Sequence, residues 1–153
     1  MGELRRRPAD AEDQQLVYDI TREASRDLVV RQFGRWDEAF QSEHFRKRWR
    51  PGRHSILIFK GTVVGCLAIE FHPQCLFLAE LQIKPEYQNR GFGTRILEEC
   101  MLAARKKMQP LKLRVLRANR ARLLYERLGF VRTFQSATHY FMEWRPQTAN
   151  SAC

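Results

Sequence analysis

The chain has 153 residues, 44% of them apolar, and carries 27 basic against 17 acidic side chains for a net charge of +10. That length suits one domain with a real hydrophobic core, and no apolar run approaches the ~20 residues of a membrane span or forms the apolar centre of a secretory signal in "MGELRRRPADAEDQQ". Cys66, Cys75, Cys100 and Cys153, with His44, His54, His72 and His139, show no metal-ligand spacing, so the reading is a soluble, cytoplasmic, metal-free protein with reduced thiols and no membrane association.

Taken in order, Glu3 to Arg7 reads as a strand ended by Pro8. Asp10 caps a helix with Glu12 and Asp13 in its first turn, where negative charge is favoured. Its buried face begins at Leu16, Val17 and Ile20; it runs into the high twenties, and Gly34 breaks it. Trp36, Ala39, Phe40 and Phe45 recur at helical spacing up to about Trp49, and "RPGRH" follows as a loop. From Ser55 the period changes to that of strands. Interruptions at Lys60-Gly61 and His72-Pro73-Gln74 divide the stretch into an antiparallel meander, whose third strand is about Cys75 to Ile83.

A polar turn with Gly91 and Gly93 leads into a helix whose apolar face is Ile96, Leu97, Cys100, Met101, Ala104 and Met108, stopped by Pro110. Leu111, Leu113 and Val115 then alternate with Lys112 and Arg114 in a strand. Strand, loop, helix and strand make a βαβ crossover, so the two strands should run parallel. "NRARLLYERLG" is a helix with Ala121, Leu124 and Leu128 on one face and Gly129 as its stop; "FVRTFQ" and "THYFMEW" close the fold. The class is α/β (α+β), with a mixed, mostly antiparallel sheet in the order β-α-α-β-β-β-α-β-α-β-β. Residues 1–145 form the domain and 146–153 a loose tail.

The stretch "QIKPEYQNRGFGTRIL" carries the first chemical signal. The first N–H groups of a helix lack internal partners and sit at the positive end of its dipole, and glycines allow close approach of an anion. The same glycines also serve an ordinary bend. Charge is unevenly spread: residues 1–53 hold 12 basic and 10 acidic side chains, residues 54–84 two of each, and residues 85–153 hold 13 against 5. The excess therefore follows the glycine loop, where it favours a polyanionic ligand.

Together, Gln88-Asn89-Arg90-Gly91-Phe92-Gly93 and the later "NRARLLYERLGF" resemble the two signatures of the GNAT superfamily of acyl-CoA N-acyltransferases, and the likeness runs from about Leu4 to Trp144. The resemblance implies acetyl-CoA as co-substrate, its pyrophosphate held by backbone N–H groups of Gln88, Asn89, Arg90, Gly91, Phe92, Gly93 and Thr94. It implies a pantetheine arm paired with the backbone of Leu81, Gln82 and Ile83 between two splayed strands, with the Ile83 N–H facing the thioester oxygen. Tyr125 matches the tyrosine beside the coenzyme sulfur, against the plain reading of a half-buried helix residue; Asn119 is an N-cap that, in the family, also touches the arm. Glu80, on the opposite face of its strand from Leu81 and Ile83, is the general-base candidate or a salt-bridged carboxylate. Transfer is then by direct attack of an amine in a ternary complex.

The resemblance places the acceptor against Asp27 to Phe45 and Gln135 to Tyr140, with Trp36, Phe33 and Tyr140 as lining or as core. The positive field disfavours polycationic aminoglycosides, for which only Asp37, Glu38 and Glu43 offer an acidic patch, and suits a small or amino-acid-like amine with its own carboxylate. A protein or peptide amino group, a non-catalytic acyl-CoA sensor and a homodimer stay open. Nucleic acid is disfavoured, because no helix-turn-helix, RNP-like motif or basic-aromatic repeat is present.

Overall fold

A computed structural model describes residues 2–147; most of the tail expected to be loose, 148–153 with Cys153, lies outside the described residues. The backbone gathers into two compact units, residues up to 69 with 80–92, and residues 70–79 with 93 onward. Seven strands hydrogen-bond in the order β1-β2-β3-β4-β5-β7-β6, a mixed sheet accompanied by four α-helices among the described residues. The element order is the one the periodicity predicts.

The first unit opens with β1 (Leu4–Pro8), antiparallel to β2 (Ser55–Phe59) from Leu4↔Phe59 to Pro8↔Ser55. Asp10 does not cap the long helix directly. It caps a 3₁₀ turn, Ala11–Asp13, in a capping box where Asp13 accepts from the Asp10 N–H at 2.9 Å. Asp13 also takes both guanidinium nitrogens of Arg7, at 2.7 and 3.0 Å. That bidentate bond, with the Asp10 amide, holds its carboxyl down at about 2. The helix α1 (Gln14–Phe33) then ends at Gly34, whose φ of 91° supplies the left-handed stop. Asp37 caps α2 (Glu38–Arg48). Val17 and Ile20 join Ala9, Ile56 and Cys66 in a core against which Phe45 and Trp49 pack.

β2 pairs antiparallel with β3 (Thr62–Phe71), with a bulge at Leu57/Ile58. β3 lies against β4 (Leu76–Ile83), where the Lys84 N–H donates to the Val64 carbonyl at 2.9 Å. The approach is so close at Gly65 that an added Cβ would sit 2.2 Å from the Gln82 carbonyl oxygen. Only a hydrogen fits there.

In the second unit β4 runs parallel to β5 (Leu111–Leu116) at Leu76↔Leu111, Phe77↔Lys112 and Leu78↔Leu113, closing the crossover that the sequence implies. β5 continues antiparallel to β7 (His139–Trp144) through Leu116↔His139, and β7 carries β6 (Val131–Gln135) on its far edge. Alternation on β5 is as read: Leu111, Leu113 and Val115 are buried, Lys112 and Arg114 exposed. The helix α3 (Phe92–Lys106) buries Ile96, Leu97, Cys100 and Ala104. Met108 departs from the expected face: the helix ends two residues earlier, and Met108 turns to φ 53° and is exposed. The helix α4 (Ala121–Arg127) closes at Gly129, with φ of 102°.

Gly65→Ala tests how far the β3–β4 approach depends on a missing side chain. Denaturant titration should show a loss of roughly 1–3 kcal/mol or more, the cost of forcing atoms into a filled space. An unchanged midpoint would mean that Gln82 shifts freely.

Candidate active site

β4 leaves its strand through the turn Pro85–Tyr87, after which Gln88 is extended, Asn89 has φ of 61° and Gly91 φ of 87°. Asn and Gly are the residues that tolerate this left-handed geometry. A Cβ placed on Gly91 or Gly93 would meet nothing within 4 Å, so the surface over both glycines is open. Phe92 points the other way. It is 2% exposed, with its ring edge-on to Phe59 at 5.0 Å and to Tyr87 at 6.3 Å. The Arg90 guanidinium lies over the Tyr87 ring at 5.3 Å. Anchored from below, the loop presents its backbone and the first amides of α3 outward, a surface that fits a diphosphate. The Gln88 N–H is already engaged with the Pro85 carbonyl at 3.2 Å, so the available amides begin at Asn89.

The end of β4 presents a second set of backbone groups. Lys84 donates toward β3 and the Gln82 carbonyl faces Gly65 on the same side. Because successive residues of an antiparallel strand point their N–H and C=O to opposite edges, those of Ile83 face away from β3. Its carbonyl accepts from the Gln88 side-chain amide at 2.8 Å. Among the described residues, the β4–β5 ladder covers three pairs whereas β5 pairs with β7 over six, so the β4-side edge of β5 carries no ladder from Arg114 onward.

In the first unit a small open cleft of about 70 Å³ lies over α1, α2 and the start of β2. Aromatic rings follow one another along it, Tyr18 to Phe45 at 5.2 Å, Phe45 to Trp49 at 5.7 Å and Trp49 to His54 at 5.7 Å. Glu38 holds two walls, accepting from the Tyr18 hydroxyl at 2.8 Å and from the Trp36 indole at 2.6 Å. At the inner end sits Glu80, whose Oε2 receives Arg53 at 2.6 Å and the buried His54 at 2.9 Å. Burial by itself would push the Glu80 carboxyl up; the hydrogen bond and charge of His54, then those of Arg53, outweigh it and hold the carboxyl at about 2. His54 Nδ1 is buried with no hydrogen-bond partner.

The second unit holds the remaining sequence candidates. Tyr125 is half-buried on α4 beside Phe130, ring centroids 5.8 Å apart, and burial raises its phenol to about 12. Asn119 is not the N-cap itself: Arg120 holds that position, and Asn119, one residue earlier, accepts with its Oδ1 from the Ala121 N–H at 2.9 Å, a turn that leads into α4. Tyr140 lies between the guanidinium groups of Arg117, at 5.2 Å, and Arg132, at 4.1 Å. Of the expected acceptor residues in the first unit, Trp36 lines the cleft and Phe33 is exposed. Among the described residues no group of three His, Cys, Asp or Glu side chains is arranged to hold a metal, and no helix is long and apolar enough to cross a membrane.

Residues 51–132, more than half of the chain, match the family model of the acetyltransferase (GNAT) domain. The chain belongs to the GNAT acetyltransferase family. Its fold is that of solved GNAT structures. The PaiA N-acetyltransferase from Thermoplasma acidophilum, in complex with coenzyme A, superposes with a TM-score of 0.76 at 19% identity, over 94% of this chain and 99% of that one. An acetyltransferase from Thermus thermophilus gives 0.73 at 18% identity, over 95% and 100%. The ribosomal-protein-S18-alanine N-acetyltransferase from Escherichia coli gives 0.66 at 19% identity, over 99% of both chains. At these identities the likeness is one of fold. No curated protein sequence matches the chain significantly.

Family motifs do not reach Arg53 and His54, which sequence reasoning left in a loop. Nothing in their spacing points to Glu80, which lies 26 and 27 positions away; only the packing of β2, β3 and β4 brings them together. Tyr18 carries no sequence signal for the cleft either, and Trp49 enters the sequence reading only as the approximate end of a helical segment.

Glu80 and Asp13, both held at about 2 against ordinary values of 4.5 and 3.8, set an acid limit on stability. Their folded pKa values are depressed, so the unfolded chain binds more protons; the stability they supply is complete above about pH 4.5 and lost as pH falls toward 2. Denaturation midpoints should stay level from pH 7 to 5 and drop steadily below about 4.5, with a shallower drop in Glu80→Gln. A midpoint that rises on acidification below pH 4.5 would contradict the ion-pair assignments.

Proposed function

We propose that the chain is an N-acetyltransferase that moves the acetyl group of acetyl-CoA to the primary amine of a small or amino-acid-like acceptor, by direct attack in a ternary complex. The observation that carries the reading is the open, side-chain-free surface over Gly91 and Gly93 at the start of α3, held from beneath by the buried Phe92. Backbone amides from Asn89 to Thr94 grip the pyrophosphate, and the outward edge of Leu81, Gln82 and Ile83 pairs with the pantetheine arm. Bound acetyl-CoA supplies the activated acetyl thioester. The Ile83 N–H is the donor for negative charge that builds on the thioester oxygen. Asn119 keeps its Oδ1 on the Ala121 N–H and has its amide N–H groups left for the arm.

Proton movements follow from pKa differences. Tyr125, at about 12, stays a neutral phenol throughout the working range. Full transfer of its proton to a thiolate of pKa about 8.5 is uphill by roughly 3.5 units, so Tyr125 acts as a hydrogen-bond donor to the departing sulfur. Glu80, the acceptor-side carboxylate, is held at about 2. An ammonium of pKa about 10 would give it a proton only ~8 units uphill, whereas release through water to solvent at pH 7 costs ~3 units. Glu80 therefore holds the incoming ammonium, and water takes the proton. Cys66, Cys75 and Cys100, none of them in a disulfide among the described residues, suit the cytoplasm as the place of action. A peptide acceptor is the second reading, supported only by the fold likeness to the S18-alanine enzyme.

A free-thiol release assay with acetyl-CoA over amines, amino acids and peptides tests the reading as a whole; no release with any of them would remove it. Gly91→Val puts a branched side chain at φ of 87° in the open cradle, and should weaken acetyl-CoA binding more than about 100-fold by calorimetry while leaving circular dichroism unchanged. Unaltered affinity would show that the anion sits elsewhere. Tyr125→Phe should lower kcat by about 10²-fold with little change in coenzyme affinity. Equal kcat in the two proteins would strip the phenol of its role.

A further inference from the structure

The cleft of the first unit also discriminates among amines. Both donors to Glu80 converge on one oxygen: Arg53 and His54 bond to Oε2, and among the described residues Oε1 receives no hydrogen bond. The Glu80 side chain is 21% exposed and lines the cleft. Half of a fixed, ionised carboxylate is thus presented to whatever enters. An ammonium is the natural complement, because a donor there completes the anion's hydrogen bonding without disturbing its clamp.

The approach to that oxygen is aromatic. The run Tyr18, Phe45, Trp49 and His54 ends on the residue that bonds Glu80, and Trp36 stands in the same cleft with its indole N–H tied to Glu38. With the Tyr18 hydroxyl and the Trp36 N–H satisfied by Glu38, the remaining faces of these rings are apolar surface and electron-rich π-face. The charged lining is unbalanced: Arg48 and Arg53 stand beside the single carboxylate of Glu80. One ammonium finds a partner there; a second finds guanidinium groups. Arg53 is committed to the Glu80 clamp and cannot turn aside without breaking it.

Resting on the transferase reading above, we infer that the acceptor is a primary amine bearing a single positive charge on an aromatic body, its ammonium on Glu80 Oε1 and its ring against Trp36, Phe45 and Trp49. Polyamines and aminoglycosides are excluded by the two arginines. Simple alkylamines are bound weakly, because they leave the aromatic wall wet. Apolar complementarity of this kind discriminates by about 10- to 200-fold.

The test uses the full chain in two measurements. Calorimetric titration, without acetyl-CoA, compares 2-phenylethylamine and tryptamine with butylamine and spermidine; thiol release with acetyl-CoA then compares the same four and a short peptide. The aromatic amines should bind and turn over with kcat/KM at least about tenfold above butylamine, spermidine and the peptide. Trp36→Leu, on a half-buried wall residue, should reduce that preference to about unity by raising KM for the aromatic amines while kcat holds. Glu80→Gln should raise KM for every amine. Should Glu80→Gln fail to fold, the Trp36→Leu comparison decides alone. Preference for spermidine, butylamine or the peptide, or an unchanged preference in Trp36→Leu, overturns the proposal and leaves the transferase reading standing. Selective calorimetric binding of the aromatic amines with no thiol release by any amine does the reverse: it supports the acceptor class and removes the transferase reading.

Discussion

A carboxylate placed beneath an aromatic cleft must be neutralised where it stands. Taking an ion out of water costs several kcal/mol even after the protein relaxes, and a single good partner rarely offsets that. Glu80 has two, Arg53 and His54, and both direct their bonds to the same oxygen. The clamp decides much of what surrounds it. It fixes the start of β2 against the middle of β4, gives Trp49 a flat histidine ring to stack on, and leaves the Cys66 thiol in a dry setting where burial, with the nearby Glu80 charge, raises it to about 12. Cys66 is therefore inert. The same clamp holds the Glu80 carboxyl at about 2, so it is an anion near neutral pH, which in the proposed site makes it a binding group.

The sequence reveals the fold nearly in full because strand and helix periods are unmixed. β5 alternates from Leu111 to Val115, the meander is punctuated by Lys60-Gly61 and His72-Pro73-Gln74, and Gly34 and Gly129 stop helices with positive φ. The errors are local and have local causes. Asp13 has a bidentate arginine available, which favours a 3₁₀ turn over a direct start of α1; Met108 keeps helical spacing on paper but follows the end of α3. The glycine loop is legible because missing side chains are visible in the sequence itself. Arg53 and His54 are not, since an ion pair made across strands depends on register, which no spacing in the chain encodes.

The net charge of +10 looks different once its partners are known. Arg7 and Arg22 are tied to carboxylates, and Arg90, Arg105, Arg117 and Arg132 lie over aromatic rings. Stacked guanidinium groups retain their charge while giving up part of their freedom to reorient. The positive field is thus partly frozen into place, and part of it surrounds Tyr140, whose phenol is lowered first by its hydrogen bond with Arg117.

Phe92 has a further consequence. Its side chain is driven into the core where the glycine loop meets α3, so the chain beside it has little room to wander before any ligand arrives. The ordering entropy that a floppy loop would surrender on contact has already been lost during folding. In the proposed site, coenzyme affinity would then depend in part on a residue with no surface to offer the coenzyme, and selection acting on that affinity would be felt in the hydrophobic interior.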